Sequence, residues 1–185
     1  MREIVVTQFI SLDGVVDSPG GGEHPHAGWT FEDVEFVPEA YEVKGREQEA
    51  ATALLLGRRS YDEFAPVWPT MEEFAEYNAM PKYVVSSTLR DPEWNNTHVL
   101  RGLDEVAELK QTEGGEIHVH GSPTLAQGLL AAGLVDRLTL LTFPVLLGGG
   151  KRLFADGAGK TLLTLTESAA YSNGIQLSIY DVGRR

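Results

Sequence analysis

Glycine, hydroxyl or arginine residues stand at three points where an apolar segment of the chain ends. The three segments are Gly57-Arg58-Arg59-Ser60, Ser86-Ser87-Thr88 and Gly121-Ser122-Pro123-Thr124. Glycine lets a backbone approach a ligand closely, while arginine and the free N–H groups at the start of a helix attract phosphate. Hydroxyl groups suit a ribose or its phosphate. These residue types therefore point to binding of a dinucleotide.

Each of the three segments also fits an ordinary structural feature when it is considered alone. The first and third would serve as the capped start of a helix, and the second as a polar turn. No G-x-G-x-x-G fingerprint stands in the strand–helix setting that a Rossmann dinucleotide site requires. The combination of the three segments, rather than any one of them, indicates the site.

Asp13, in Ser11-Leu12-Asp13-Gly14, is the candidate acid–base residue because it follows the first predicted strand. As a proton source it would need a raised pKa, which burial could provide. An Asp-Gly turn with no chemical role is the equally good alternative.

The four histidines at positions 24, 26, 118 and 120 lack a fixed acidic partner, so we predict no metal site. The absence of cysteine excludes thiolate zinc sites, iron–sulfur clusters and cysteine nucleophiles.

The elements that position these residues alternate between strand and helix. We predict strands over residues 3–9, 53–57, 82–86, 98–100, 117–120 and 137–143. We predict helices over 31–53 (interrupted at Pro38 and with a solvated acidic face), from Arg59, over 103–112 and after Ser122. Two strand-like segments, 162–171 and 175–182, flank Asn173-Gly174, which is a strong hairpin signal. The pattern predicts one α/β domain over residues 1–185, with helices on both faces of a mostly parallel sheet and an antiparallel C-terminal hairpin.

Composition and charge narrow the classes of function. The 42% hydrophobic and 23% charged residues are ordinary for a globular domain, and the net charge of −12 argues against nucleic acid as a partner. No apolar run approaches the roughly 20 residues that span a bilayer, and the start of the chain lacks the apolar core of a secretory signal. We therefore expect a cytoplasmic protein that does not act on membranes.

In several ordered segments the sequence resembles the dihydrofolate reductase-like superfamily. It is most similar to the reductase (C-terminal) domain of the bifunctional riboflavin-biosynthesis deaminase–reductase and its stand-alone relatives. The ordered segments that carry the resemblance span nearly the whole chain: Ser11–Gly14, Leu56–Tyr61, Lys82–Ser87, His120–Ser122, Gly133–Leu138 and Pro144–Gly150.

The resemblance implies a three-layer dihydrofolate reductase-like fold and NADPH as cofactor. It assigns the cofactor's phosphates to Gly57, Arg58, Arg59 and Ser60, the adenosine ribose to Ser86 and Ser87, and the pyrophosphate to Gly121, Ser122 and Thr124. It also implies a substrate-contacting role for Asp13. The implied reaction is hydride transfer to a pterin-like or aminopyrimidine substrate, most closely 5-amino-6-(5-phosphoribosylamino)uracil.

Departures from the family pattern leave alternatives open. No zinc deaminase motif is present, so the second activity of the bifunctional enzyme is not expected. Folate-reducing enzymes carry a carboxylate on their first long helix. No motif in this sequence identifies which of Glu32, Asp33 and Glu35 would correspond to that carboxylate. Dihydrofolate reductase activity, or NADPH binding with a drifted substrate site, are therefore the alternatives.

The alternation of Ile175, Leu177 and Ile179 with more polar residues gives the last segment one apolar face. A hairpin at the chain end also leaves a sheet edge that must be covered. The riboflavin-branch relatives imply dimers, so we expect a homodimer built around this hairpin.

Overall fold

One eight-stranded sheet forms the centre of the computed structural model, which describes residues 1–183. Its strand order is β4-β3-β2-β5-β1-β6-β8-β7, in which every pairing from β4 to β6 is parallel and the last two are antiparallel. The strands are β1 Ile4–Ser11, β2 Ala51–Gly57, β3 Lys82–Val85, β4 Thr97–Leu100, β5 Glu116–His120, β6 Arg137–Phe143, β7 Leu163–Ala170 and β8 Gln176–Val182. The predicted fold class is confirmed.

Six helices accompany the sheet within the described residues. They are α1 Trp29–Glu32, α2 Glu42–Ala50, α3 Arg58–Phe64, α4 Ala75–Ala79, α5 Leu103–Gln111 and α6 Pro123–Ala131. Buried side chains of α5 and α6 pack on one face of the sheet. Buried side chains of the other four helices pack on the opposite face, so both faces are covered, as predicted. None of the helices in residues 1–183 combines the length and the apolar character needed to cross a membrane.

The helix predicted over residues 31–53 is wrong in its extent. The chain instead forms the short α1, a 3-10 turn at Pro38–Tyr41 and then α2, which ends at Ala50. Ala51 and Ala53 belong to β2, where they pair with Glu116 and Ile117 of β5 and are buried. Alanine favours helices, but pairing with a neighbouring strand overrides that preference here.

The hairpin predicted at Asn173-Gly174 is confirmed. Tyr171 donates its N–H to the carbonyl of Ile175, and Gly174 donates to the carbonyl of Tyr171. Gly174 has a φ of +85°, a left-handed conformation that glycine adopts without strain. The turn delivers β8 beside β6 and leaves β7 as the outer strand of the sheet.

Candidate active site

The carboxyl ends of four neighbouring strands form a row along one edge of the sheet. In spatial order the strands are β3, β2, β5 and β1, which are parallel and end at Val85, Gly57, His120 and Ser11. Strands lie about 4.8 Å apart, so the row is about 14 Å wide. Ligands of open α/β sheets bind outside the carboxyl ends of the strands. The structure therefore brings all three predicted dinucleotide segments and Asp13 to one edge.

Two buried serines tie the ends of β2 and β5 together. The N–H of Ser122 donates to Ser60 Oγ at 2.8 Å, and the N–H of Gly57 donates to Ser122 Oγ at 2.7 Å. Both side chains are buried. Ser60 and Ser122 therefore hold the two glycine-containing loops in a fixed relation, a role that the sequence did not reveal.

A side chain at Gly121 would be tightly packed and would need a left-handed backbone. The φ of Gly121 is +60°, and a Cβ at this position would stand 3.0 Å from Ser60 Oγ and 3.4 Å from the ring of Phe64. Gln8, which is buried in β1, donates its side-chain N–H to the carbonyl of Gly121 at 2.7 Å. The backbone at Gly121 is therefore held in place from two sides.

The groups around this loop fit an anionic ligand. The first-turn N–H groups of the nine-residue helix α6 have no acceptor within the helix, and the exposed Thr124 adds a hydroxyl. The exposed Arg58 and Arg59 on α3 form ion pairs with Asp62 and Glu63 one helical turn away. Such exposed pairs contribute little energy and can exchange for a phosphate. These residues could hold the phosphates of a dinucleotide.

Ser86 and Ser87 lie at the end of β3 but differ in exposure. Ser86 is buried, and its Oγ accepts the N–H groups of Thr88 and Leu89 at 3.3 and 3.1 Å. Arg101 holds the same turn by donating to the carbonyls of Ser86 and Leu89. Ser86 therefore shapes the turn, while the side chain of Ser87 is exposed.

Asp13 contacts the loop that follows β6. Its carboxylate accepts the N–H groups of Leu147 and Gly148 at 3.2 and 2.8 Å and the hydroxyl of Ser11 at 2.6 Å. The Ser11 hydrogen bond and the two backbone N–H groups outweigh burial and lower the pKa of Asp13 to about 2. The expectation of a raised pKa is thus wrong, because the carboxylate is stabilised by donors rather than isolated from water.

A cavity of about 470 Å³ lies between this loop and Arg59. Its lining includes Glu23, His24, Arg59 and Gly149. His24 Nε2 stands 3.0 Å from the carbonyl oxygen of Gly149, and Glu23 forms an ion pair with Arg59 at 3.2 Å. The cavity therefore connects the predicted phosphate site with the loop that Asp13 holds. Within residues 1–183, no three histidine or acidic side chains are grouped so that they could hold a metal ion.

Sequence reasoning missed one buried carboxylate. Glu32, Asp33 and Glu35 are all exposed. Glu47 on α2 is instead 7% exposed and hydrogen-bonds through Oε2 to Thr7 and Lys44. The prediction of a wholly solvated acidic face on this helix is therefore wrong at Glu47. The available signal was Thr7, a polar residue that follows three apolar residues of β1.

His120 lies on the same face of the sheet as Thr7. Thr7 and His120 are register partners in β1 and β5, and the His120 ring packs edge-on against Trp68 and Tyr77. Burial lowers the pKa of His120 well below its usual value, and the charge of Lys44 lowers it further. His120 is therefore a neutral imidazole.

Comparisons with known proteins agree with this architecture. The family model of the RibD C-terminal domain matches residues 2–177. The protein YyaP of Bacillus subtilis (strain 168) is 26% identical over an aligned length of 192. The alignment covers 97% of this chain and 94% of YyaP. The protein YwjB of the same strain is 24% identical over 184 residues, covering 95% and 96% of the two chains.

Solved structures share the fold at low sequence identity. A protein of Shewanella sp. PV-4 assigned to riboflavin biosynthesis has a TM-score of 0.79 at 22% identity, covering 98% of this chain and 99% of its own. A pyrimidine reductase-like protein of Corynebacterium diphtheriae has a TM-score of 0.66 at 15% identity, with coverage of 99% and 92%. Dihydrofolate reductase of Enterococcus faecalis, solved with NADP(H), has a TM-score of 0.64 at 13% identity, with coverage of 98% and 96%.

The resemblance stated from the motifs is thus confirmed. The matched family supports an oxidoreductase of the riboflavin-biosynthesis type, and the solved structures support the fold. Because its model covers nearly the whole chain, the protein belongs to the RibD C-terminal domain family.

Proposed function

We propose that this protein is an NADPH-dependent reductase that transfers hydride to a pterin-like or aminopyrimidine substrate, with 5-amino-6-(5-phosphoribosylamino)uracil as that substrate. The observation that carries the proposal is the row of four parallel strand ends, which collects glycine loops, hydroxyls and two arginines over about 14 Å. Family membership supports the same class of reaction.

In this proposal different residues bind different parts of the cofactor. Gly121 and the first turn of α6 receive the pyrophosphate, Arg58 and Arg59 pair with phosphate, and Ser87 faces the adenosine ribose. NADPH, when bound, supplies the hydride. Asp13 fixes the loop over residues 147–148 beside the reacting end and does not donate the proton, because its pKa of about 2 keeps it ionised.

A steady-state assay tests the proposal directly. Purified protein is incubated with NADPH and either the aminouracil or dihydrofolate, and the loss of NADPH absorbance is followed together with product mass. We expect turnover with the aminouracil. Turnover with dihydrofolate alone would assign the protein to the other branch of the superfamily. NADPH binding without turnover of either compound would identify a binding protein whose substrate site has drifted.

We predict that the protein binds NADPH about 10- to 150-fold more tightly than NADH. A charge-assisted contact from arginine to the 2′-phosphate contributes about 1.5–3 kcal/mol, which corresponds to this range. Arg58→Ala should reduce the preference about tenfold, as measured by calorimetry with both nucleotides. Arg46→Ala is the matched control, because Arg46 is an exposed arginine paired with Glu167 on β7. Equal affinity of the wild-type protein for the two nucleotides would contradict the prediction.

We also propose that the protein is a homodimer built on the C-terminal hairpin. β7 is the outer strand, and Leu162 and Leu165 on or beside it are 72% and 52% exposed. Ile175 and Leu177, on the apolar face that suggested the dimer, are instead buried in the core of the protomer. Leu165 pairs with Tyr180, so both side chains point to the opposite face of the hairpin. A two-fold partner would bury this face, and such closed dimers are the commonest soluble assemblies. Sedimentation equilibrium at micromolar concentration should give twice the chain mass, and Leu165→Glu should shift it towards one chain. A wild-type mass of one chain that does not change on concentration would exclude the dimer.

A further inference from the structure

Three ionisable side chains project from one face of β5. Glu116, His118 and His120 alternate along the strand with Ile117 and Val119, so they point to the same side of the sheet. β5 lies in the middle of the sheet, between β2 and β1. With a rise of about 3.3 Å per residue, the row extends over about 13 Å. It runs from the amino edge of the sheet to the carboxyl edge, which carries the candidate active site.

His118 contacts a carboxylate that reaches solvent at the amino edge. His118 is fully buried, and its Nε2 lies 2.7 Å from Glu116 Oε2. The Glu116 side chain is 25% exposed, and its Oε1 accepts a hydrogen bond from Arg137 Nη1 at 3.0 Å. Arg137 thereby holds the carboxylate in place. His118 is therefore a buried imidazole with a route to solvent through Glu116.

Each of the two imidazoles has one buried nitrogen without a partner. His118 Nδ1 and His120 Nε2 make no hydrogen bond within residues 1–183, although both atoms are buried. The two ring centres are 6.3 Å apart, which is too far for a direct hydrogen bond between the rings but within reach of one bridging water molecule. A buried polar atom without a partner is costly, and a water molecule bonded to both nitrogens would satisfy them. Such a molecule makes the row continuous from Glu116 to His120.

His120 lies at the carboxyl edge, beside the proposed cofactor site. It directly precedes Gly121, and its ring is partly exposed. Its Nδ1 also has no hydrogen-bond partner within the described residues, but unlike Nε2 this atom is not buried. The ring thus has one interior nitrogen and one that solvent or a ligand can reach. A neutral imidazole can accept a proton at one nitrogen and release one from the other.

The proposed reaction needs a proton donor other than Asp13. Hydride transfer supplies the substrate with an electron pair and one hydrogen, and the reduction is complete only when a proton is added as well. Asp13 is ionised because its pKa is about 2. A bound cofactor and substrate would cover the exposed side of His120, so a proton delivered during the reaction would have to come from the interior.

We propose that Glu116, His118 and His120 conduct the proton that the reductase reaction consumes from solvent to the site. His120 Nδ1 gives a proton to the heteroatom of the reduced double bond, and its Nε2 takes one from the bridging water molecule. His118 replaces that proton, and Glu116 returns one to His118 from solvent. One proton enters and the electron pair comes with the hydride, so no group in the row changes its charge over a turnover. The assignment rests on the proposed function in taking the reaction to be a reduction.

Nuclear magnetic resonance tests the proton path without any turnover. The chain contains five histidines, so the ring N–H signals of isotope-labelled protein are few. The ring proton of His118 should exchange with heavy water at least about tenfold more slowly in Glu116→Gln, because an amide cannot take up and release the proton. Glu3→Gln is the matched control, since Glu3 pairs with the same Arg137 at 3.3 Å but lies outside the row. Equal protection of the β5 backbone amides shows that both variants are folded.

Steady-state kinetics with NADPH and the aminouracil test whether the reaction uses the path. Glu116→Gln and His118→Gln should each lower kcat at least about tenfold and change KM and NADPH affinity less than about threefold. Proton delivery then limits the rate, so the ratio of kcat in ordinary water to kcat in heavy water should rise. Glu3→Gln should leave all of these values unchanged. A merely structural Glu116–His118 pair would lower stability without raising the isotope ratio. If His118→Gln does not fold, Glu116→Gln still decides the outcome.

Two results would overturn the proposal. They are equal exchange of the His118 ring proton in Glu116→Gln and Glu3→Gln, and an unchanged kcat in the folded Glu116→Gln protein. Failure of the proposed function looks different. Ring exchange that depends on Glu116, in a protein that turns over neither compound, would remove the reductase and the use of the path in it. Turnover of the aminouracil with ring exchange that does not depend on Glu116 would remove only the path.

Discussion

Gly121→Val is expected to lower the affinity for NADPH at least about a hundredfold, which corresponds to about 2.8 kcal/mol. The φ of +60° at Gly121 is strained for any L residue and more so for a β-branched one. The added Cβ would also stand 3.0 Å from Ser60 Oγ, the atom that accepts the N–H of Ser122. The loop would have to move, and the junction between β2 and β5 would move with it.

The control variant Gly133→Val distinguishes displacement of the Gly121 loop from the strain that any L residue has in a left-handed backbone conformation. Gly133 has a φ of +68°, but no atom lies within 4 Å of a Cβ built there. It follows α6 at the end opposite Gly121. The control variant should therefore lose stability in urea unfolding, by about 1–2 kcal/mol, while it retains NADPH affinity by calorimetry. A Gly121→Val protein that is folded and binds NADPH normally would show that this loop is not the pyrophosphate site.

Asp13→Asn is expected to lower turnover about a hundredfold while NADPH affinity changes less than about threefold. The carboxylate anchors the N–H groups of Leu147 and Gly148, and an amide can accept through only one of its two polar atoms. The loop would shift at the substrate end of the cleft, and a displacement of about 1 Å can cost about a hundredfold in rate. Asp156→Asn, in an exposed loop, is the control.

The pH dependence distinguishes a positioning role from proton donation by Asp13. The folded-state pKa of about 2 is below the ordinary value of 3.8, so the carboxylate stabilises the fold above about pH 4. This contribution, about 1 kcal/mol for a partly exposed group, is lost as the pH falls through 2. The residual activity of Asp13→Asn should therefore keep the wild-type pH profile between about pH 5 and pH 8. If the wild-type activity instead falls with rising pH within that range and the variant loses this fall, Asp13 is the proton donor after all.

Much of the fold is predictable because its signals are local. The apolar run before Gly57 and the run over residues 137–143 form strands as expected, and the second strand has the predicted bounds. The Asn173-Gly174 turn and the alternation of strands with helices likewise depend on residues that are neighbours in the chain. These features can therefore be predicted without a structure.

The three segments proposed for the dinucleotide also have local signals. Two of them combine glycine with hydroxyl or basic groups, and the third contains hydroxyl groups alone. Each stands at the end of a strand. Once the sheet is expected to be parallel, those strand ends must meet at one edge. The position of the candidate site therefore follows from the sequence pattern together with the fold class.

The roles of individual side chains depend on contacts that are distant in sequence. Ser60 meets the backbone of Ser122, Glu47 meets Thr7, and Asp13 meets Gly148, over separations of 62, 40 and 135 residues. Burial and hydrogen-bond donors set the pKa of a carboxylate, and neither can be known before these partners are in place. The sequence by itself therefore determined the fold class and the edge of the sheet at which the three segments meet. Only the tertiary structure decided that Asp13 is a low-pKa anchor and that Glu47 is a buried carboxylate bonded to Thr7 and Lys44.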